Sequence, residues 1–345
     1  MKSLGLEILR LEPETGRISV VGKRRGSGNG SSLMLNAHYG TVGVENMLLP
    51  FDPVVREGRM FGRGAYDMKG SLAASLGAVK ALNDARIGLH GDLLVAAVAD
   101  EEYASLGTSD LLDHVTTDGA IVTEPTQLQI CVAHKGFIWL EVETTGRAAH
   151  GSRVDLGIDA NMKMGQFMAK LSTLEEALRK RTSHPLLGSA SLHGATLAGG
   201  TEFSAYAARC RLGIERRTLP GEDPEKAIGE IQTILQHLER EDPQFRSSLT
   251  TLLVRDPFEV RPDCSIVEVV KSATEAVCDN SPRLIGYHPW MDAALLSAAG
   301  IETVVIGPSG GGAHSSEEWV DLESAIHLAE ILARSACAYC EVGAD

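Results

Sequence analysis

Residues Leu93-Leu94-Val95-Ala96-Ala97-Val98-Ala99-Asp100-Glu101-Glu102 decide how this chain folds. An unbroken apolar run gives way at once to three carboxylates. A run of that length without polar alternation predicts a strand covered on both faces, which is the strand of a parallel sheet. Two neighbouring carboxylates at its tip can take different jobs, one binding a metal while the other handles a proton. The same pattern recurs on either side. Leu33-Met-Leu-Asn-Ala-His38 ends on an imidazole, and Gly119-Ala-Ile-Val-Thr-Glu124 ends on a carboxylate before Pro125. Glu302-Thr-Val-Val-Ile-Gly307 is a further buried strand, followed by the glycine-rich approach to His314. Between these strands Leu72, Leu76, Val79 and Leu82 recur at helical spacing, predicting a helix from Met68 to about residue 85. Further helices are expected at about 105–115, 264–280, 291–299 and 320–341. Strand, helix, strand at these lengths makes an α/β sheet.

The pattern changes near residue 137. Phe137-Ile-Trp-Leu-Glu-Val-Glu-Thr-Thr alternates, as a half-exposed strand does. A helix (157–180), two strands (188–196 and 205–215), a helix (224–240) and a strand (248–256) follow. That β-α-β-β-α-β order is ferredoxin-like. The expectation is therefore a catalytic α/β domain, residues 1–136 and 257–345, with a mostly parallel sheet flanked by helices. Into it is inserted a ferredoxin-like α+β lid, residues 137–256.

Composition narrows the function. The chain has 345 residues, 43% of them hydrophobic, and a net charge of 32 − 46 = −14. Its length favours two domains. The acidic balance argues against nucleic acid and anionic membranes, both of which reward basic patches. No apolar run reaches the roughly 18 residues of a membrane span. Charges interrupt the N-terminal apolar pattern too early for a signal peptide, so a cytoplasmic protein is expected. The cysteines Cys131, Cys210, Cys264, Cys278, Cys337 and Cys340 are scattered through core elements and read as buried free thiols. Cys337 and Cys340 form a C-x-x-C late in a helix, without the preceding strand of a redox motif.

The chemistry gathers where apolar runs end. His38 closes a strand. Asp67 sits in Gly62-Arg-Gly-Ala-Tyr-Asp67-Met-Lys-Gly70 just before a helix, where it can cap the helix and bind a ligand together. Glu124 stands at the C-terminal end of a strand, where open α/β sheets have their binding crevice. His314 follows Gly310-Gly-Gly-Ala, and Glu317 or Glu318 is placed to orient its second nitrogen. Each residue has a plain structural role available. Together with the Glu101-Glu102 pair they suit two zinc-like ions bridged by one carboxylate.

Five segments resemble the dizinc aminoacylase/carboxypeptidase metallopeptidase family, which includes acetylornithine deacetylase and succinyl-diaminopimelate desuccinylase. They are His38, Gly62-Arg-Gly-Ala-x-Asp-Met-Lys-Gly70, Ala99-Asp-Glu-Glu102, Thr123-Glu-Pro-Thr126 and Ala313-His-Ser315. The resemblance implies two divalent metal ions, zinc first, with cobalt or manganese as alternatives. It implies Asp67 as the bridge, His38 and Glu124 completing one position, and Glu102 and His314 the other. Glu101 becomes the general base acting on a metal-bridging water. His150, in Gly146-Arg-Ala-Ala-His-Gly-Ser, resembles the lid histidine that assists the oxyanion, commonly across a homodimer. Arg217, in Glu215-Arg-Arg-Thr-Leu-Pro-Gly, resembles the site for a substrate carboxylate. The implied reaction is hydrolysis of the amide bond of small N-acyl amino acids. A dipeptidase or carboxypeptidase would use the same site.

Two departures stand out. The family's usual His-x-Asp reads His38-Tyr39-Gly40, so the imidazole is expected to lose an orienting carboxylate; a weakened or inactive relative that binds metal or ligand is therefore the alternative to a hydrolase, although all five ligand residues and Glu101 are present. Only 37 residues precede His38, so one helix covering the sheet is expected to be missing.

Overall fold

A computed structural model describes residues 1–44, 46–278 and 280–342. The chain divides into two compact units, one of residues 1–132, 259–286 and 291–345, the other of residues 133–258 and 287–290. Among the described residues no helix is long and apolar enough to cross a membrane.

The first unit is built on a mixed sheet. Its strands lie in the order Glu7–Leu11, Ser19–Arg24, Leu93–Val98, Leu33–His38, Gly119–Val122, Glu302–Val305, Ile130–His134. Leu93–Val98, Leu33–His38, Gly119–Val122 and Glu302–Val305 are parallel to their neighbours within that group. Antiparallel strands flank them on both sides. Every residue of Leu33–His38, Leu93–Val98 and Gly119–Val122 is buried, as continuous apolar runs require. Helices Gly70–Asp84, Ser265–Cys278 and Leu322–Tyr339 supply Val79, Leu82, Ile266, Val270, Leu328 and Leu332 to the same core as Leu33, Leu35, Val95 and Ile121. Each such side chain taken out of water contributes about 1.5–3 kcal/mol.

Short strands carry the site's loops. Val54–Arg56, Arg59–Phe61, Trp319–Asp321 and Gly310–Gly311 make a small antiparallel sheet, none of which shows in the apolar periodicity. In it Phe61 pairs with Trp319 and Met60 with Val320. The segment that leaves Phe61 toward Asp67 therefore starts beside the segment that arrives at Trp319 from His314.

The second unit has the expected ferredoxin-like order. Its antiparallel sheet runs Ser191–Gly199, Arg209–Thr218, Gly136–Thr145, Ser247–Arg255, with helices Ala160–Lys180 and Pro224–Glu241 on one face. Met164, Phe167, Leu171, Ile231 and Leu235 pack against Ile138, Leu140, Val142, Leu212 and Ile214. Asp159 caps the first helix and Asp223 the second, each accepting backbone N–H bonds. Arg216 falls on the inward alternation of its strand and is 1% exposed, a position where an apolar residue is the rule. Its guanidinium donates to Glu222 at 2.7 Å.

Cys131, Cys210 and Cys340 are buried, while Cys264, Cys278 and Cys337 are half-buried.

Candidate metal centre

Parallel register creates the site. Leu93–Val98 and Leu33–His38 run side by side with His38 opposite Val98, and Asn36 pairs with Val122 on the other flank. Their C-terminal ends therefore face the same way, and whatever follows each strand meets at one edge. His38 is the last residue of its strand. Glu124 follows Val122 by two positions. Gly307 lies against Glu124 so closely that a Cβ there would meet the Glu124 carbonyl oxygen at 2.1 Å, so only glycine fits.

The three carboxylates at the tip of the opening segment go separate ways. Asp100 adopts φ 70°, a left-handed conformation that aspartate tolerates, and its carboxylate pairs with Arg17 at 2.7 Å. Glu101 turns toward His38, at 3.8 Å from Nε2. Glu102 reaches His314, at 3.1 Å from its Nε2.

Asp67 stands between the two imidazoles. Its Oδ1 is 3.0 Å from His38 Nε2, and its Oδ2 is 3.2 Å from His314 Nε2. Glu124 Oε1 lies 3.4 Å from the same His38 nitrogen. Donor atoms of His38, Asp67 and Glu102 lie within 4.8 Å of one another, as do those of His38, Glu101 and Glu124. One carboxylate with an oxygen toward each of two imidazoles, and a further carboxylate beside each imidazole, is a donor set that fits two divalent cations. Of the three carboxylates within 4 Å of His38 Nε2, Glu101 is the farthest.

The charges answer one another. Burial alone would raise the Asp67 carboxyl, but hydrogen bonds from His314 and His38 outweigh it and hold the group below the ordinary aspartate range. Glu124 is pushed up to about 7 by burial, against the pull of His38. Burial and the neighbouring Glu124 raise Glu101 well above the usual glutamate range. For His38, burial opposes the charged form, yet Glu124 and Asp67 overcome it and the imidazole rises well above its ordinary value. His314 reaches about 10 through its hydrogen bonds to Asp67 and Glu102. Both imidazoles thus hold the proton that a cation would replace.

Gly40 does not leave the imidazole unsupported. His38 Nδ1 donates to the Gly40 carbonyl oxygen at 3.2 Å, so the backbone provides the orienting contact expected of a carboxylate side chain. With Nδ1 committed to that bond, Nε2 is the nitrogen that faces the cluster. The expectation for Glu318 is also corrected. Its carboxylate does not orient His314; it is 1% exposed and accepts from Arg63 and from backbone amides of the Asp67 loop.

The other two expected residues belong to the second unit. His150 Nδ1 accepts from the Ser152 amide at 3.3 Å and lies 2.8 Å from the Ser152 hydroxyl, which puts the ring proton of neutral His150 on Nε2. Arg217 donates to Glu215 through Nε at 2.7 Å and Nη2 at 3.2 Å, and its guanidinium lies 5.3 Å from the Phe137 ring centre. One edge of this guanidinium is thus already occupied by a carboxylate.

The chain matches peptidase family M20/M25/M40 over residues 34–338 and belongs to it. It is 29% identical to an acetylornithine deacetylase of Myxococcus xanthus over 341 residues, covering 94% of this chain and 84% of that one. It is 27% identical to an N-formyl-4-amino-5-aminomethyl-2-methylpyrimidine deformylase of Bacillus subtilis, covering 99% and 87%. Among solved structures, aminopeptidase PepT of Bacillus cereus superposes with a TM-score of 0.81 at 17% identity, covering 97% of this chain and 90% of that one; at that identity the likeness speaks to the fold. The protein is a metal-dependent hydrolase that acts on amide bonds.

Two outcomes follow from this geometry. Titrating zinc or manganese into chelator-treated protein at pH 7.5, in buffers of different ionisation enthalpy, should release on the order of two protons per chain; heats independent of the buffer would mean the imidazoles are already neutral. Gly40→Asp should fold, since the nearest heavy atom to a Cβ there is Asp100 N at 3.8 Å. It should tighten metal binding by up to about tenfold, whereas weaker binding would make the carbonyl the better partner for His38.

Proposed function

We propose that the protein removes the acyl group from small N-acylated amino acids, with His38, Asp67, Glu102, Glu124 and His314 holding two divalent cations and Glu101 as general base. The placement of Asp67, one carboxylate oxygen toward each imidazole, carries this reading. Two relatives support the acyl-removing side of the family over the peptidases, since one is named as a deacetylase and the other as a deformylase. A dipeptidase or carboxypeptidase with the same centre is the alternative; the structural neighbours of that kind share the fold at identities that say nothing about substrate.

Two cations in this cluster would acidify a water and polarise the scissile carbonyl. Glu101 takes a proton from the attacking water as the new carbon–oxygen bond forms. It returns that proton to the amine nitrogen as the carbon–nitrogen bond breaks. Its carboxylate stands 3.8 Å from His38 Nε2, beside the cluster where that water would sit. His150, with its proton on Nε2, is a donor for the carbonyl oxygen as that oxygen gains charge. Arg217 offers the guanidinium edge that Glu215 leaves open to a substrate carboxylate. The strand Ser191–Gly199 is exposed along most of its length at a sheet edge, which supports a homodimer formed through the second unit.

Assays of N-acetyl and N-formyl amino acids with zinc, manganese or cobalt test the reading. Glu101→Gln should lower kcat by about 10²–10⁴-fold with metal content unchanged. Concurrent metal loss would make Glu101 a ligand instead. Arg217→Ala should raise KM for carboxylate-bearing substrates by about 10–100-fold, the loss of one charge-assisted contact; an unchanged KM would remove Arg217 from substrate recognition.

A further inference from the structure

Behind the cluster lies a second charged assembly that touches no reacting group. The Glu318 carboxylate is buried and collects four donors. Oε2 accepts from Arg63 Nη1 at 2.6 Å and from the Gly64 amide at 3.0 Å. Oε1 accepts from the amides of Tyr66 at 2.9 Å and Asp67 at 3.0 Å. The Glu318 carbonyl accepts from the Gly62 amide at 3.1 Å. One residue thus secures the whole Gly62–Asp67 turn from behind.

Arg63 carries the hold to the other loop. Its Nη2 donates to the Ser315 carbonyl at 2.8 Å, directly after His314, and its Nε donates to the Gly43 carbonyl at 3.1 Å. The turn is too tight for side chains. Gly64 has φ 77°, and a Cβ there would meet Thr41 Cγ2 at 2.6 Å and Lys69 Nζ at 2.7 Å. The Arg63–Glu318 pair is 3% and 1% exposed. Burying such a pair gains little stability over an apolar one, because desolvation offsets the attraction. Its geometric consequence is larger, since it fixes Asp67 and His314 relative to each other.

The hold falls unequally on the two cation positions. His38 and Glu124 stand at the ends of their own core strands and do not touch the pair. Glu102 follows a third strand. On the His38 side, the pair meets the shared Asp67 and, through the Gly43 carbonyl, the loop three residues beyond Gly40, but no residue next to His38 or Glu124. On the other side, both Asp67 and His314 depend on it. Resting on the two-cation reading above, we propose that Arg63 and Glu318 are positioning residues that set the affinity of the His314-side position specifically. The His38-side position keeps most of its affinity without them.

Arg63→Lys isolates the effect. A lysine can still face Glu318, but a single ammonium cannot reach Ser315 O and Gly43 O as well. Titration calorimetry with zinc or manganese should show wild type binding two equivalents. The variant should keep the first within about threefold and lose about 10–100-fold in the second, the range typical of a lost orienting contact. Metal analysis after dialysis should then approach one ion per chain, with the melting temperature of the metal-free protein near that of wild type. Glu318→Asp, which keeps the charge but shortens its reach, should give the same split and serves if Arg63→Lys does not fold. Two equivalents bound as in wild type, or both weakened equally in a folded variant, would overturn the proposal. Failure of wild type to bind a second equivalent would instead overturn the two-cation reading on which it rests.

Discussion

Carboxylates crowded into a buried edge repel one another strongly. At 4 Å and an effective dielectric of about 20, two like charges cost about 4 kcal/mol. Asp67, Glu101, Glu102 and Glu124 all reach the same edge of the sheet, and Glu101 and Glu124 respond by shifting toward their neutral forms. His38 and His314 respond by holding protons. This arrangement is a poor one for stability and a good one for divalent cations, which can replace two protons and relieve the remaining repulsion together. Stability elsewhere has to carry it. The fully buried strands and the helices Gly70–Asp84 and Leu322–Tyr339 around them supply the apolar surface that does so.

Strand direction converts that core into a site. Because the central strands run parallel, their C-terminal ends coincide, and the residues that follow them converge without any long reach. The ligand-type residues then differ in how they are held. His38 is part of the sheet itself and 2% exposed. His314 lies on a loop, with its side chain 55% exposed, and depends on contacts made by its neighbours. The small sheet that pairs Phe61 with Trp319 provides the first of these contacts, by bringing the two loops alongside each other.

Much of this was readable in the sequence because it rests on patterns that sequence carries. Unbroken apolar runs marked the central strands, alternation marked Gly136–Thr145, and ligand-type residues at the ends of runs marked the cluster. What escaped reading depends on tertiary context. Strands such as Val54–Arg56, Arg59–Phe61 and Leu284–Tyr287 are too short for any period to register. Arg216 breaks the inward alternation of its strand with a charge, which periodicity assigns to solvent. Glu318 looks like one of two interchangeable acids after His314, and only the positions of four donors around it reveal its role. The sequence does carry one sign of that role, since a glycine-rich turn with an arginine in it needs an acceptor to gather its amides.

The Gly40 contact shows why a missing side chain need not mean a missing function. Orientation and charge are separate services, and an aspartate at this position would supply both. The Gly40 carbonyl supplies orientation alone, since it accepts from His38 Nδ1 but carries no net charge. The imidazole is therefore aimed correctly but made less basic than a carboxylate partner would make it. At this edge that is an exchange rather than a simple loss. A further aspartate would add one more negative charge beside Glu101 and Glu124, which burial already drives toward neutrality. With a carbonyl in its place, the cluster gives up some affinity for cations and avoids some of the repulsion that cations would otherwise have to offset. What the Gly40 carbonyl keeps is the geometry, with Nε2 of His38 still facing Asp67 and Glu124.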